Sequence, residues 1–148
     1  VLPADIAVCA AAVADWRVDS EAPQKLKKDG SALPTLNMVE NPDILANLSR
    51  PGRMRPQLVV GFAAETQNIL DHARAKLAKK GCDWICANDV SPATGTFGGD
   101  LNTVQLVTRT GVEDWPSQSK RQVAQHLADR IAAHLLAQKH VLKPGEVR

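Results

Sequence analysis

The stretch that decides the fold of this chain runs from residue 57 to residue 87 and reads QLVVGFAAETQNILDHARAKLAKKGCDWICA. Its first part, residues 57–62, is a continuous apolar run after Gln57 and is typical of a strand buried on both faces of a sheet. Residues 67–80 then predict a helix that ends at Gly81, with one apolar face formed by Ile69, Ala73 and Leu77. Residues 83–87 are again a strand. A strand, a helix and a second strand in this order predict a parallel βαβ unit.

The segments on either side extend the same architecture. Residues 5–14 form a continuous apolar run after Asp5 and predict a central parallel strand, buried on both faces. A short helix is expected up to about residue 48, with Asn41 as its N-cap and Pro42 at its first position. Residues 103–115 predict a hairpin with its turn at Thr110-Gly111, and residues 120–137 an amphipathic helix. Residues 1–137 are therefore expected to form one α/β layered domain, and residues 138–148 a flexible tail.

Composition limits the classes of function. The chain has 148 residues, 44% of them hydrophobic and 23% charged, and a formal net charge of +2, which does not predict binding to nucleic acid or to a membrane surface. No signal peptide and no run long enough to span a bilayer is present. Three cysteines without zinc spacing predict free buried thiols in a reducing cytosol. Because the sequence starts abruptly without Met, we expect a fragment of a longer protein.

Polar residues follow three successive apolar strands: Asp15 after the first, Glu65-Thr66 after the second and Asn88-Asp89 after the third. The carboxyl ends of parallel strands lie along one edge of a sheet, where ligands bind in open α/β folds. This convergence is the strongest physical indication of a site. A single strand-end aspartate such as Asp15 suits a metal ion, a hydrogen-bond donor of a base, or merely a turn.

Lysines supply the positive charge that an anionic ligand needs. Lys25 begins the sequence Lys-Leu-Lys-Lys in a loop bounded by Pro23 and Gly30, and such a loop is able to close over a triphosphate. Lys76 and Lys80 lie one helical turn apart and present two ammonium groups on one face. Spacing alone favours solvated surface lysines for both groups. The four histidines have no matching partners in the sequence and are expected at the surface.

Six segments in order and spacing resemble one family, the bacterial phosphopantothenate–cysteine ligase domain. They are AAVADW (11–16), KLKK (25–28), MVENPDI (38–44), VGFAAET (60–66), ICANDV (85–90) and FGGDLN (97–102). The resemblance implies a three-layer Rossmann-like fold with a mostly parallel sheet and a β-hairpin extension. It also implies that the amino-terminal βα segment of that domain is lacking from this sequence.

The resemblance implies a ligase that uses CTP and Mg²⁺ to join 4′-phosphopantothenate to L-cysteine through an acyl-cytidylate, in the cytoplasm and as part of coenzyme A biosynthesis. Lys25 matches the family's catalytic lysine. The positions that match nucleotide-binding residues are Asp15, Glu40, Asn41, Pro42, Asp43, Phe62, Lys76 and Lys80. Ligands of the metal are not assigned.

The family also implies partners. These ligases are commonly homodimers, for which the hairpin region is the expected contact, and most are fused behind an FMN-dependent decarboxylase domain. Two other interpretations stay open at this point. One is a nucleotide-binding regulatory module that has kept the fold without the chemistry, and the other is a different nucleotide-dependent transferase that activates another acid on the same scaffold.

Overall fold

The computed structural model of the chain describes residues 2–20, 24, 35–91, 94 and 99–141. Lys25 and the remainder of the lysine segment lie outside the described residues, as does Phe97. The strands are β1 (Ile6–Cys9), β2 (Trp16–Val18), β3 (Met38–Glu40), β4 (Leu58–Glu65), β5 (Trp84–Asp89), β6 (Leu101–Asn102), β7 (Val104–Thr108), β8 (Val112–Asp114) and β9 (Gln118–Ser119). The helices are α1 (Ile44–Ser49), α2 (Ile69–Lys80) and α3 (Lys120–Val141).

The main sheet has five strands in the order β1-β4-β5-β7-β8. β1, β4 and β5 are parallel, whereas β7 and β8 are antiparallel and form the predicted hairpin. Two small antiparallel ribbons, β2–β3 and β6–β9, lie outside this sheet. The predicted α/β fold with a parallel sheet and a hairpin extension is therefore confirmed.

The core has two halves because side chains alternate across the buried strands β4 and β5. Val59, Ala63 and Ile85 pack on one face with α1 and α2. Leu58 and Val60 pack on the other face, against α3. Helices on both faces of the sheet give the three layers, and the apolar runs at 57–62 and 83–87 follow from burial on both sides.

The structure corrects the prediction for the first apolar run. β1 covers only residues 6–9 of the predicted 5–14, and within the described residues it is the edge strand of the sheet. Val8 is 44% exposed. The strand stops early because residues 10–12 are alanines, which have low β-propensity and little side chain to bury. Burial on both faces was thus the wrong prediction for this strand.

Helix boundaries also differ from the sequence patterns. The N-cap of α1 is Asp43 and not Asn41, because the Asp43 Oδ1 atom accepts from the backbone amide of Ala46 at 2.9 Å. Gly81 ends α2 as predicted, in the left-handed conformation with φ +70°. α3 continues to Val141, past residue 137 where the sequence predicts the start of a flexible tail.

Candidate functional site

The parallel strands bring two predicted polar ends together. Glu65 and Asp89 are register partners at the ends of β4 and β5, and the amide of Val90 donates to the carbonyl oxygen of Glu65 at 2.9 Å. Both carboxylates have protein partners. Glu65 Oε2 lies 3.1 Å from His72 Nδ1, and Asp89 Oδ1 accepts from the amide of Ser91 at 2.8 Å. The predicted convergence of strand ends is confirmed for these two residues.

The segment after β1 is held to the turn that precedes α1. The amide of Asn41 donates to the carbonyl oxygen of Asp15 at 2.8 Å, and its side-chain Nδ2 donates to the carbonyl oxygen of Ala14 at 2.7 Å. Arg17 Nη1 donates to the Glu40 carbonyl at 2.7 Å and to Asn41 Oδ1 at 3.3 Å. Both polar atoms of the Asn41 side chain are therefore hydrogen-bonded to protein groups, and they connect the segment after β1 to the turn before α1. Asp15 and Glu40 are exposed beside it.

The same turn is held to the end of α2. Lys80 Nζ forms a hydrogen-bonded ion pair with Asp43 Oδ2, and Asp43 Oδ1 at the same time caps α1. Burial would raise the pKa of the Asp43 carboxyl, but the hydrogen bonds from Lys80 and from the amide of Ala46 lower this pKa below its usual range. Asp43 is thus ionised at neutral pH and neutralises one of the two predicted lysines. Pro42 lies exposed between these two connections.

The paired lysines of α2 occupy partly buried positions next to a buried thiol. Lys76 and Lys80 are both half-buried, one helical turn apart. Burial raises the pKa of the Cys82 thiol to about 11, against a small opposing effect of the Lys76 charge. Burial also raises the pKa of Cys86 to about 12 and that of Cys9 above its usual range. All three cysteines are free, as predicted, and these thiols stay protonated at neutral pH.

Phe62 lies on the opposite face of the sheet from Lys80. Its side chain packs against the core under α3 and lines an open groove of about 450 Å³. The groove runs between the end of β1, at Val8 and Ala10, and the apolar face of α3, and Asn102 and Lys120 also line it. The predicted nucleotide-binding residues are therefore divided: Phe62 lines the groove, and the others lie around the turn before α1 and on α2. Residues 10–15 lead from the groove to Asn41.

Sequence reasoning missed a group of aromatic and basic residues on α3. The ring of His126 stacks on Trp115 with centroids 4.1 Å apart, and His134 meets the edge of Trp84 at 5.0 Å. Arg130 lies over the Trp84 ring, 5.3 Å from its centroid. The expected surface position is therefore wrong for these two histidines. The available signal was their spacing, since residues 126, 130 and 134 fall on one helix face.

The described residues contain no group of three or more His, Cys, Asp or Glu side chains arranged to hold a metal ion. Mg²⁺ does not require such a cage, because it keeps several waters and often binds through substrate phosphates and one or two carboxylates. Asp15, which is exposed, and the strand-end carboxylate of Asp89 are compatible with that mode. No helix in the described part of the chain is both long and apolar enough to cross a bilayer.

Comparison with known proteins gives the family. Residues 1–135 match the family model described as the DNA/pantothenate metabolism flavoprotein C-terminal domain. The chain belongs to this family. It is 44% identical over 130 residues to the coenzyme A biosynthesis bifunctional protein CoaBC of Escherichia coli K12, covering 86% of this chain and 32% of that protein. The CoaBC protein of Vibrio cholerae is 45% identical over 121 residues, with 80% of this chain and 30% of that protein covered.

A solved structure supports the same assignment of the fold. The crystal structure of the C-terminal domain of CoaBC aligns with a TM-score of 0.66 and 28% identity, covering 91% of this chain and 57% of that domain structure. The chain spans about a third of the length of the curated relatives that it matches. The predicted family and the Rossmann-like α/β class are thereby confirmed.

Proposed function

We propose that this chain is part of a phosphopantothenate–cysteine ligase that acts in coenzyme A biosynthesis. One observation of the structure carries the proposal. The predicted nucleotide-binding residues other than Phe62 come from three separate segments, and direct bonds connect these segments: Asn41 binds the backbone of Ala14 and Asp15, and Asp43 binds Lys80. The names of the relatives are consistent with it, since they are coenzyme A biosynthesis proteins.

The reaction has two steps. In the first, a carboxylate oxygen of 4′-phosphopantothenate attacks the α-phosphorus of CTP, the bond to the β-phosphate oxygen breaks, and pyrophosphate leaves. In the second, the amine of L-cysteine attacks the acyl carbon, CMP leaves with the bonding electron pair, and the nitrogen loses a proton to solvent. When bound with CTP, Mg²⁺ supplies charge neutralisation at the phosphates.

The residues of this chain have separate tasks in that scheme. Lys25 would stabilise the negative charge that develops on the α-phosphate. The ammonium groups of Lys76 and Lys80 would donate hydrogen bonds to phosphate oxygens, and the exposed carboxylate of Asp15 would accept a hydrogen bond from the nucleotide. The Phe62 ring offers an apolar surface for the base or sugar at the end of the groove. Residues 40–43 connect the segment of Asp15 to the end of α2, through the bonds of Asn41 and Asp43.

The cysteines of the chain have no task in the reaction. Their raised pKa values keep them protonated, and a protonated thiol is a poor nucleophile. The cysteine that reacts is the free amino acid. Three free thiols fit a reducing compartment, which supports a cytoplasmic location as part of the proposal.

A complete site requires more polypeptide than these 148 residues. The crystal structure of the CoaBC C-terminal domain has 43% of its length outside the aligned region, and the groove and the outer side of β1 present apolar surface to receive a further segment. We propose that an upstream βα segment packs there. We further propose that an FMN-dependent decarboxylase domain precedes it, as the bifunctional names of the relatives suggest.

Two copies of the chain are proposed to form a dimer. The resemblance implies the hairpin region for the contact, but two large exposed apolar side chains lie on the β2–β3 ribbon, where Trp16 is 54% and Met38 is 50% exposed. A two-stranded ribbon is marginally stable alone, so a partner at this face would stabilise it. Sedimentation of the full-length protein tests this proposal, and a monomer at micromolar concentration would contradict it.

The experiment that tests the function measures pyrophosphate release by the full-length natural polypeptide. The mixture contains Mg²⁺, CTP and 4′-phosphopantothenate, with and without L-cysteine, and ATP replaces CTP in a parallel reaction. Sustained release that requires CTP and cysteine is the expected result. Release with a different acid would favour another acid-activating transferase, and nucleotide binding without turnover would favour a regulatory module.

A further inference from the structure

We infer that Asp43 is a positioning residue, which holds the Lys80 ammonium group in place for the nucleotide and does not contact the nucleotide itself. The inference deepens the proposed function and rests on it, because it assigns a role within the same site. Asp43 then acts on the nucleotide only through Lys80. A substitution of Asp43 should therefore affect CTP binding only while Lys80 is present, which a direct contact would not require.

Both carboxylate oxygens of Asp43 are already committed. Oδ1 accepts from the amide of Ala46 at 2.9 Å, and Oδ2 accepts from Lys80 Nζ. One side chain therefore joins the first turn of α1 to the last residue of α2, 37 positions further along the chain. Each oxygen keeps a second lone pair, but the two bonds together fix the carboxylate in a position that supports α1 and Lys80 at the same time.

Charge gives a second reason. A triphosphate is strongly anionic, and an unpaired carboxylate within a few ångströms would repel it. Paired with Lys80, the Asp43 charge is neutralised, while the ammonium group retains further N–H donors for a phosphate oxygen. The pair therefore presents a directed donor to an anion.

Conformational order gives a third reason. A lysine side chain has many rotamers, and fixing them on ligand binding costs free energy. The Lys80 side chain is only 22% exposed and its end is anchored, whereas the Asp43 side chain is 42% exposed. The ammonium group is thus ordered before a ligand arrives. Asn41, two residues before Asp43, fixes the same turn to Asp15, so both sides of the site share one support.

The lowered pKa of the Asp43 carboxyl is consistent with this geometry, because the hydrogen bond from Lys80 is the largest of the effects that lower it. Loss of Lys80 is expected to move the pKa of Asp43 back toward its usual range. This shift is measurable by NMR titration of the carboxyl carbon, and it requires no ligand.

A double-mutant cycle on CTP affinity tests the inference in the full-length protein. Asp43→Asn keeps the N-cap, because Asn caps helices about as well as Asp, and removes only the ion pair. Lys80→Met removes the ammonium group, and Lys79→Met removes the same charge from the adjacent, exposed position as the matched control. Dissociation constants for CTP are measured by calorimetry for the wild type, the three single variants and the Asp43→Asn/Lys80→Met double variant.

If Asp43 acts through Lys80, Asp43→Asn weakens CTP binding about 5- to 10-fold, and the double variant binds no more weakly than Lys80→Met alone. Lys79→Met stays within about twofold of wild type. An equal loss from Asp43→Asn in both backgrounds overturns the inference, because Asp43 would then act independently of Lys80. Unchanged or tighter binding by Asp43→Asn overturns it as well.

Failure of the proposed function gives a different result. A folded wild-type protein that does not bind CTP overturns the proposed ligase. The carboxyl titration then decides whether Asp43 and Lys80 form the proposed pair. A rise in the pKa of Asp43 in Lys80→Met supports the pair as the device that orders Lys80. An unchanged pKa overturns it.

Discussion

At the scale of single residues, Lys25 carries the sharpest chemical prediction. Lys25→Gln removes one positive charge from the proposed transition state and should lower kcat roughly 100- to 1000-fold, because losing one oxyanion contact costs about that much in comparable sites. The fold should be unaffected, since the sequence predicts this lysine in a loop bounded by Pro23 and Gly30. Steady-state pyrophosphate release by the full-length protein measures the effect.

The same segment offers a matched control for Lys25. Lys28→Gln removes an identical charge three residues away. It should change kcat less than about tenfold, because it weakens only the general attraction of the segment for anions. Equal losses from both variants would indicate that the segment acts by its total charge, and would remove the specific role of Lys25.

At the scale of the elements, the packing of α1 on the sheet depends on Gly61. A Cβ atom at this position would lie 2.6 Å from Leu45 Cδ2 and 2.9 Å from Ile85 Cδ1, which is too close for either side chain. Gly61→Ala should therefore lower the free energy of unfolding by about 1–3 kcal/mol, as overpacking does in other cores. α1 carries the Asp43 cap, so the substitution should also disturb the site.

Chemical denaturation measures that loss, and Gly111 supplies its control. An added Cβ at Gly111 meets no atom within 4 Å, so Gly111→Ala should change stability by less than about 0.5 kcal/mol. A Gly61→Ala protein as stable as the wild type would show that α1 can move away from β4 without cost.

The attachment of α3 to the hairpin predicts a pH dependence of stability. Arg130 Nε and Nη2 both donate to Glu113 Oε1, at 2.9 and 2.7 Å. The hydrogen bonds from Arg130 lower the pKa of Glu113 below its usual range, against a smaller opposing effect of burial. A carboxyl with a lowered folded-state pKa stabilises the fold at pH values above its unfolded pKa. This contribution is lost as the pH falls through the folded-state pKa.

Thermal unfolding between pH 7 and pH 3 measures that contribution. The melting temperature of the wild type should fall more steeply below about pH 4 than that of Glu113→Gln. Arg130→Gln should flatten the curve in the same way, because either change removes the same pair. Parallel curves for all three proteins would show that the ion pair makes no pH-dependent contribution to stability.

At the scale of the whole molecule, the groove beside β1 predicts a difference between two lengths of chain. Val8 is 44% exposed in the 148-residue chain, and in the full-length protein the proposed upstream segment covers it. Val8→Asp should therefore cost at most about 1 kcal/mol in the short chain, as at other surface positions. In the full-length protein it should cost about 3 kcal/mol or more, because an unpaired charge would be buried.

Comparison of the two lengths by chemical denaturation decides this point. A difference between the two costs supports the proposed packing of an upstream segment in the groove. Equal costs would mean that the groove stays open in the longer protein, and it would then be free for another ligand.

Hydrophobic patterning by itself determined the layered α/β fold. Strands β4 and β5 are buried on both faces and read as continuous apolar runs, whereas α2 is buried on one face and shows a helical period, so each leaves a local pattern in the sequence. Gly81 marked the end of α2 for the equally local reason that a left-handed residue is needed there. Ordered motifs, and not these patterns, indicated the family and its nucleotide-binding residues.

The tertiary structure alone decided contacts between distant segments. In the structure the N-cap is Asp43 and not Asn41, and the Asn41 side chain binds the carbonyl oxygen of Ala14. Asp43 forms an ion pair with Lys80, and Phe62 lies on the other face of the sheet. The structure also puts β1 at the edge, and His126 and His134 against tryptophans. The N-cap of Asp43 is a local bond, and the two histidines share a helix face, but the other contacts have no period or local signature. Those contacts depend on how elements far apart in the chain meet in space, and hydrophobic spacing carries no record of that geometry.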